Sequence, residues 1–275
     1  MAPIVRALRA DDVAPLDRVL QAAYATPWSS AERLRLYLAA PQVASFVADD
    51  GGAPLGCVFA IDYGTVGYVS MMGVDPAAQG RGVGRALFAA LLAWGEARAL
   101  PWRLDATPAG APLYASCGFV DDGATIVFES AGPVVHDSRA AVREATQGDL
   151  HAIAALDQRA FGADRRWRLA ALFTEPGATV LLGPGDAFAG VRASGLIGPI
   201  VAPDSDAAAA VLDAALALQP GVQRRVHASA ANRAVVDLLR SRGFSEQREL
   251  RHMRQGDAPS GDASALWARI SLGEG

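Results

Sequence analysis

Apolar residues along the chain follow two rhythms. Short runs such as "IVRAL" (4–8), "VASFVAD" (43–49), "GCVFAI" (56–61), "GYVSMMGV" (67–74), "WRLDAT" (102–107) and "GATIVFE" (123–129) are bounded by turn residues and read as strands. Between them, "DDVAPLDRVLQAAY" (11–24) and "SSAERLRLYLAA" (29–40) read as helices, separated by a Pro-Trp turn. After residue 82, Val83, Leu87, Leu91 and Leu92 recur at i, i+4, i+8 and i+9, which predicts a helix with one apolar stripe facing a sheet. "GAPLYASCG" (110–118) predicts a short helix ended by Gly118. Strands and helices mixed in this way, with one strand-to-helix crossover, predict an α/β domain.

The pattern then repeats. "IVRALRADDVAPL" (4–16) is echoed by "AVREATQGDLHAI" (141–153), "VDP" (74–76) by "VAP" (201–203), and "LYASCGF" (113–119) by "LLRSRGF" (238–244). Landmarks in the same order, with an offset that shrinks along the chain, predict a duplicated domain with shorter loops in the second copy. The boundary is expected in "SAGPVVHDS" (130–138), giving domains 1–133 and 139–275.

Composition narrows the possibilities. The 275 residues are 51% hydrophobic and 20% charged, as in folded globular protein, and no apolar run is long enough to span a membrane. The first residues meet charge almost at once, so no secretory signal is expected and the protein is expected in the cytoplasm. Two cysteines and four scattered histidines predict neither a disulfide framework nor a metal site. All 25 basic residues are arginine, which excludes a Walker A loop. The net charge of −4 lies before residue 135 and the remainder is balanced, so no nucleic-acid partner is expected.

The richest local signal is "VDPAAQGRGVGRALF" (74–88), with Gly80, Gly82 and Gly84 between a strand and a helix. A loop in this place offers unpaired backbone N–H groups and the positive end of a helix dipole, to which Arg81 and Arg85 add charge. A phosphate-bearing ligand suits it; glycines serving turn geometry alone are the alternative. The dinucleotide fingerprint fits poorly, because its third glycine would fall on Arg85 or Leu87.

Taken together, these features resemble the GNAT superfamily of acyl-CoA-dependent N-acetyltransferases. Its motif Gln/Arg-x-x-Gly-x-Gly/Ala is matched by Gln79, Gly80, Arg81, Gly82, Val83 and Gly84, and its later Tyr four residues before Gly-Phe by Tyr114, Gly118 and Phe119. The resemblance implies two tandem α/β (α+β) domains, each a mixed, mostly antiparallel central sheet flanked by helices. It also implies acetyl-CoA as acyl donor, no metal, and a small-molecule amine or a peptide as acceptor, in a monomer or homodimer. The donor would be held by the loop residues through Arg85 and by the backbone of Met72, Gly73 and Val74, and Tyr114 would protonate the leaving thiolate. Tyr24 and Trp28 could line the acceptor pocket or belong to the core.

Two departures from the family pattern stand out. Several relatives carry a glutamate six residues before the position of Val74, where this chain has Tyr68, counted here among candidate acceptor residues. The general base is then open among Asp62, Asp105 and a chain of waters, with Asp105 preferred. The second copy has no glycine loop after "GPIVAPDS" (198–205), and Leu239 stands in the place of Tyr114, so it is expected to be degenerate. An N-acetyltransferase is the leading function; a non-catalytic CoA-binding or ligand-sensing protein and a dinucleotide oxidoreductase are the alternatives.

Overall fold

The structure, a computed structural model, describes residues 3–130, 141–218, 222–257 and 259–275. All of the expected boundary segment except Ser130 lies outside them. The chain packs into two compact units, residues 1–104 with 255–258, and residues 105–254 with 259–275. Sequence repeat and packing therefore divide the chain differently, because residues 105–130 belong to the first copy in sequence and pack with the second unit. Both units are mixed α/β with mostly antiparallel sheets, and eight α-helices flank the strands among the described residues.

In the first unit the strands β1 (Ile4–Arg6), β2 (Val43–Asp49), β3 (Pro54–Asp62), β4 (Gly67–Val74) and β5 (Trp102–Ala106) lie in that order in the sheet. All pairs are antiparallel except β4 with β5. Helices α1 (Val13–Tyr24), α2 (Ala31–Ala39) and α3 (Val83–Glu96) pack on this sheet. The predicted stripe of α3 is realised by Val83, Leu87 and Leu91, joined by Phe88. Trp102 wedges between α3 and β4 so closely that a Cβ on Gly95 or Gly67 would fall 2.3 or 2.5 Å from its ring. Those two glycines are the space the indole occupies.

In the second unit β6 (Val120–Ser130), β7 (Arg143–Glu144), β8 (Thr179–Leu182), β9 (Phe188–Val191), β10 (Leu196–Val201), β11 (Arg225–Ser229) and β12 (Phe244–Gln255) run in the order β12-β6-β11-β10-β9-β8-β7. A short strand β13 (Leu266–Ala268) pairs with β10. The helices are α4 (Ala111–Ser116), α5 (Leu150–Phe161), α6 (Arg166–Leu172), α7 (Ser205–Ala217) and α8 (Arg233–Ser241). Residues of α7 and α8 share one core with Val226, Ala228 and Phe128, and residues of α5 and α6 share a second with Val180, Phe188 and Val201.

The sequence echoes correspond to repeated local structures. Arg6 forks onto Asp12 at 2.7 and 2.8 Å, and Arg143 forks onto Asp149 at 2.9 and 2.7 Å. In each case the carboxylate also accepts a backbone N–H three residues earlier, from Arg9 or Thr146, at 2.7 Å. This is the physical content of the shared Val-Arg…Asp pattern: an arginine leaving a strand pins the acid that opens the next helix. Gly118 and Gly243 likewise both adopt positive φ, +86° and +78°, just beyond a short helix.

β6 lies between β11 and β12, paired with β11 from Thr125 to Ser229 and on through Glu129 to Arg225, and with β12 along most of its length. Ile126, Val127 and Phe128 are buried there, each worth roughly 1.5–3 kcal/mol. A fragment 141–275 should therefore show no cooperative thermal transition by circular dichroism, whereas 105–275, which keeps β6, should melt cooperatively. Cooperative melting of 141–275 would contradict this account of the sheet.

Candidate functional site

The candidate site of the first unit starts from an irregularity in β4. Phe59 pairs with Ser70 and Cys57 with Gly73, so Met71 and Met72 together stand opposite Val58. This is a β-bulge, and within it Met71 takes a positive φ (+46°). Its effect on direction is visible on either side. Gly67 faces Trp102 and α3, whereas Gly73, six residues on, faces Leu20 of α1, with a Cβ position 2.8 Å from that side chain. In a regular strand those two positions would share a face.

Beyond the bulge the strand parts from its parallel neighbour. β4 and β5 pair only at Gly67 with Trp102 and Tyr68 with Arg103. Among the described residues of this unit, no strand pairs with that side of β4 after Tyr68. Tyr24, at the end of α1, donates its hydroxyl to the Met72 carbonyl at 3.1 Å, and Gln79 donates to the Val74 carbonyl at 3.3 Å.

The loop from Asp75 to Gly82 then turns into α3. Asp75 accepts the N–H of Ala77 at 2.8 Å and shapes the first turn. Gly80 and Gly82 adopt φ of +75° and +80°, and a Cβ at either would meet nothing within 4 Å. Glycine is needed there for conformation and leaves open space above the main chain. Gly82 is the N-cap of α3 and supplies no side-chain cap, and the helix's first bond inside that end runs from Ala86 N–H to the Gly82 carbonyl. The preceding amides, including those of Val83, Gly84 and Arg85, are thus available to an external acceptor. Gln79, Arg81 and Arg85 are exposed around this helix end, and Val83 is buried under it. The arrangement suits an anion with several oxygens, because it combines backbone donors, a helix dipole and exposed positive charge.

The second unit repeats the strand irregularity with the opposite outcome. Ile197 pairs with Val191 and Ile200 with Ala189, again one residue too many on the inner strand, and β10 pairs with β11 only at Leu196 and Ile197. The cleft so created is filled. β13 enters it, pairing Ala268 with Ile200 and Leu266 with Val201, while Arg269 donates its N–H to the His227 carbonyl of β11 at 2.8 Å. The Trp267 indole, buried, donates to Ala202 at 3.1 Å. The helix that follows is closed as well, since Asp204 caps α7 by accepting the Ala207 N–H at 2.9 Å. With Asp206 in the same turn, this end of α7 repels the anion that α3 would attract.

The remaining sequence candidates fall in unlike surroundings. Tyr24 and Trp28 are 41% and 58% exposed, which removes the core alternative for both. Tyr68 is wholly buried and offers no surface to an acceptor, because both faces of this part of β4 are covered, with residues 67–71 all buried. Asp62 accepts the N–H of Gly64 at 2.7 Å in a turn. Tyr114 and Asp105 belong to the second unit. Tyr114 is buried, packs against Phe119 with ring centroids 6.1 Å apart, and has its phenol pushed up to about 12 by that burial.

Asp105 lies in a polar cluster that no spacing in the sequence reveals. Its carboxylate is fully buried and accepts from Thr125 Oγ1 at 2.7 Å, with His252 Nδ1 at 3.0 Å and Arg269 Nε at 4.0 Å. Burial by itself would raise its pKa, but the Arg269 charge and the bonds from His252 and Thr125 hold it well below the usual carboxylate range. A carboxylate so placed cannot reach an external amine, which answers the preference for Asp105 as the base. His252 is 147 residues away in sequence.

Among the described residues, no helix is long and apolar enough to cross a membrane, and no group of three or more His, Cys, Asp or Glu could hold a metal ion. Residues 41–121 match a family model described as an acetyltransferase (GNAT) domain, and residues 153–268 match a second model with the same description. Among solved structures, a putative acetyltransferase from Pyrococcus horikoshii is 25% identical with a TM-score of 0.89, over 99% of this chain and 96% of that one. A GCN5-related N-acetyltransferase from Sphaerobacter thermophilus is 18% identical with a TM-score of 0.66, over 96% and 98%. A tandem GNAT protein from the clavulanic acid biosynthesis pathway is 16% identical with the same TM-score, over 94% and 100%. Comparison with curated protein sequences finds no match.

One pH dependence follows from a second buried histidine, His227 of β11. His227 Nδ1 has no hydrogen-bond partner, and burial, with the charge of Arg225, pushes its imidazole down from 6.5 to about 3. Between those values the unfolded chain binds a proton that the folded chain refuses, so this contribution to stability is present above pH 6.5 and lost as pH falls towards 3. Urea unfolding should show a slope from this residue of up to about 1.4 kcal/mol per pH unit in that window. In His227→Gln the slope should flatten, and an unaltered slope would remove His227 as its source.

Proposed function

The chain belongs to the GNAT acetyltransferase superfamily, two of whose domains it carries in tandem, and on that premise we propose that it transfers an acetyl group from acetyl-CoA to a primary amine. Acyl transfer is what the family implies, and the choice of donor and acceptor is our reading. The observation that carries it is the contrast between the copies: a bulged, parted strand followed by an open helix end in the first, and the same strand filled and capped in the second.

In this reading the amides at the start of α3 hold the pyrophosphate of the donor, with Arg81 and Arg85 adding charge. The backbone of Met72 and Val74 holds the extended arm, and the bulge turns the Met72 N–H toward the thioester oxygen. A fixed donor at a developing oxyanion contributes roughly 2.7–4 kcal/mol. Gly73 acts differently, by letting α1 approach closely enough to seat Tyr24 on the Met72 carbonyl. The amine nitrogen attacks the carbonyl carbon directly, and Tyr114 gives its proton to the departing sulfur. Its role comes from the family motif, and its raised pKa supports it, since the phenol is protonated at neutral pH. Exposed Tyr24 and Trp28 favour an acceptor, small molecule or peptide, with an apolar or aromatic body beside its amine.

Calorimetric titration with acetyl-CoA should give one equivalent bound per chain, with thiol released for at least one class in a panel of amines. Substituting valine for both Gly82 and Gly84 should abolish binding; a full equivalent retained would move the donor site elsewhere. Tyr114→Phe should lower kcat about 10²- to 10⁴-fold at unchanged acetyl-CoA affinity, and an unchanged rate would take Tyr114 out of the mechanism.

A further inference from the structure

The turn between β2 and β3 puts two neighbouring acids to different uses. Asp49 is buried, accepting from Arg6 Nε at 2.6 Å on one oxygen and from the Gly51 N–H at 3.0 Å on the other. Gly51 takes a positive φ of +93°, so the chain turns sharply just beyond this anchor. Asp50 stands between the anchor and the glycine, and it is exposed. Its Oδ2 lies 3.9 Å from Nη2 of Arg81, the residue between the two positive-φ glycines Gly80 and Gly82. Hairpin and glycine loop belong to the same unit, in which α3 packs on β2 and β3.

The ion pair is a loose one. The Asp50 and Arg81 side chains are 45% and 53% exposed, and such a pair holds weakly because water screens it and two side chains must be ordered to make it. Its importance comes from its place, since Arg81 is one of the two arginines beside the open amides of α3. While it faces Asp50, Arg81 spends its charge on a carboxylate of its own chain. An arriving diphosphate offers it two phosphate groups in place of one carboxylate, with backbone donors and a helix dipole alongside. The apparent affinity of the helix end is then reduced according to the fraction of chains in which Asp50 holds Arg81.

We propose that Asp50 is a displaceable counter-anion of the donor site. It holds Arg81 before the donor arrives, yields it to the diphosphate of acetyl-CoA, and takes it back as CoA leaves. The proposal rests on the reading that places the donor at the start of α3. Acetyl-CoA and CoA carry the same diphosphate, so Asp50 weakens both alike. Uniform binding of that kind adds nothing to the chemical step, whereas a product held too tightly slows turnover. A carboxylate that competes for Arg81 therefore serves release of the product.

Calorimetric titration of the full chain with CoA and with acetyl-CoA, at low ionic strength and without amine, tests this. Asp50→Asn should bind both ligands about 2- to 5-fold more tightly than the wild type, which is what one exposed ion pair is worth, at an unchanged melting temperature. The gain should shrink as salt is raised. Arg81→Ala keeps the amides and should still bind, but there the gain from Asp50→Asn should be largely lost; in Arg85→Ala it should persist. An equal gain without Arg81 would mean that Asp50 simply repels phosphate, and would overturn the exchange. So would an affinity that Asp50→Asn leaves unaltered, or a gain confined to acetyl-CoA, which would set Asp50 beside the acyl group. A wild-type chain that binds neither ligand would overturn the donor site itself, and the exchange with it.

Discussion

Where a parallel strand pair parts, the backbone groups on the inner side of the cleft lose their partners, and they must find others. Both copies of this chain create that situation with the same device, a single extra residue in the strand that precedes the helix. An unmet buried backbone group costs about as much as a lost hydrogen bond, so the inner strand cannot simply be left dry and bare. The second unit resolves the matter internally by threading its own strand, Leu266–Ala268, into the gap. In the first, no strand of its own unit takes that place among the described residues.

The helix ends obey the same accounting. At α7 the Asp204 carboxylate takes one of the first amides and places negative charge on the dipole. At α3 a glycine stands in that position, and two positive-φ glycines keep side chains off the surface. A folded helix tolerates either arrangement. Only the second leaves the first amides without a side-chain acceptor, and with glycine at the cap this forgoes only about a few tenths of a kcal/mol.

The second unit is also unusual in how much charge it buries. Arg165 is clamped by Asp157 at 2.6 and 2.9 Å and donates to the Gly275 carbonyl, while Arg168 meets Glu274 at 2.7 Å. Arg192 donates to the carbonyls of Ile270 and Gly198. These contacts tie the segment after β13 to α5, α6 and β10, and so hold the strand that fills the cleft. Buried pairs of this kind add little net stability but are costly to break singly, which suits a segment that must stay in one register. The cluster around Asp105 follows the same rule, with the difference that two members, His252 and Arg269, keep a small exposed surface.

What the chain by itself determined was everything carried by local spacing. The strand and helix order, the stripe of α3, the duplication and the glycine loop are all short-range patterns, since turn chemistry and helix periodicity act over a few residues. Even the repeated Arg-Asp fork was present as an echo before its geometry was known. What only the tertiary structure decided depends on residues far apart. The bulge at Met71–Met72 leaves no mark in the composition of β4, because it is a matter of pairing count against β3. That β6 packs with the second unit rather than with the copy to which its sequence belongs is a choice among sheet edges of similar apolar character. The partnership of Asp105 with Thr125, His252 and Arg269 joins four segments whose only common property is that the fold buries them together. Burial also decided what residue type left open: Tyr68 lies in the core, Tyr24 and Trp28 lie exposed, and the Asp105 carboxylate is buried against Thr125, His252 and Arg269.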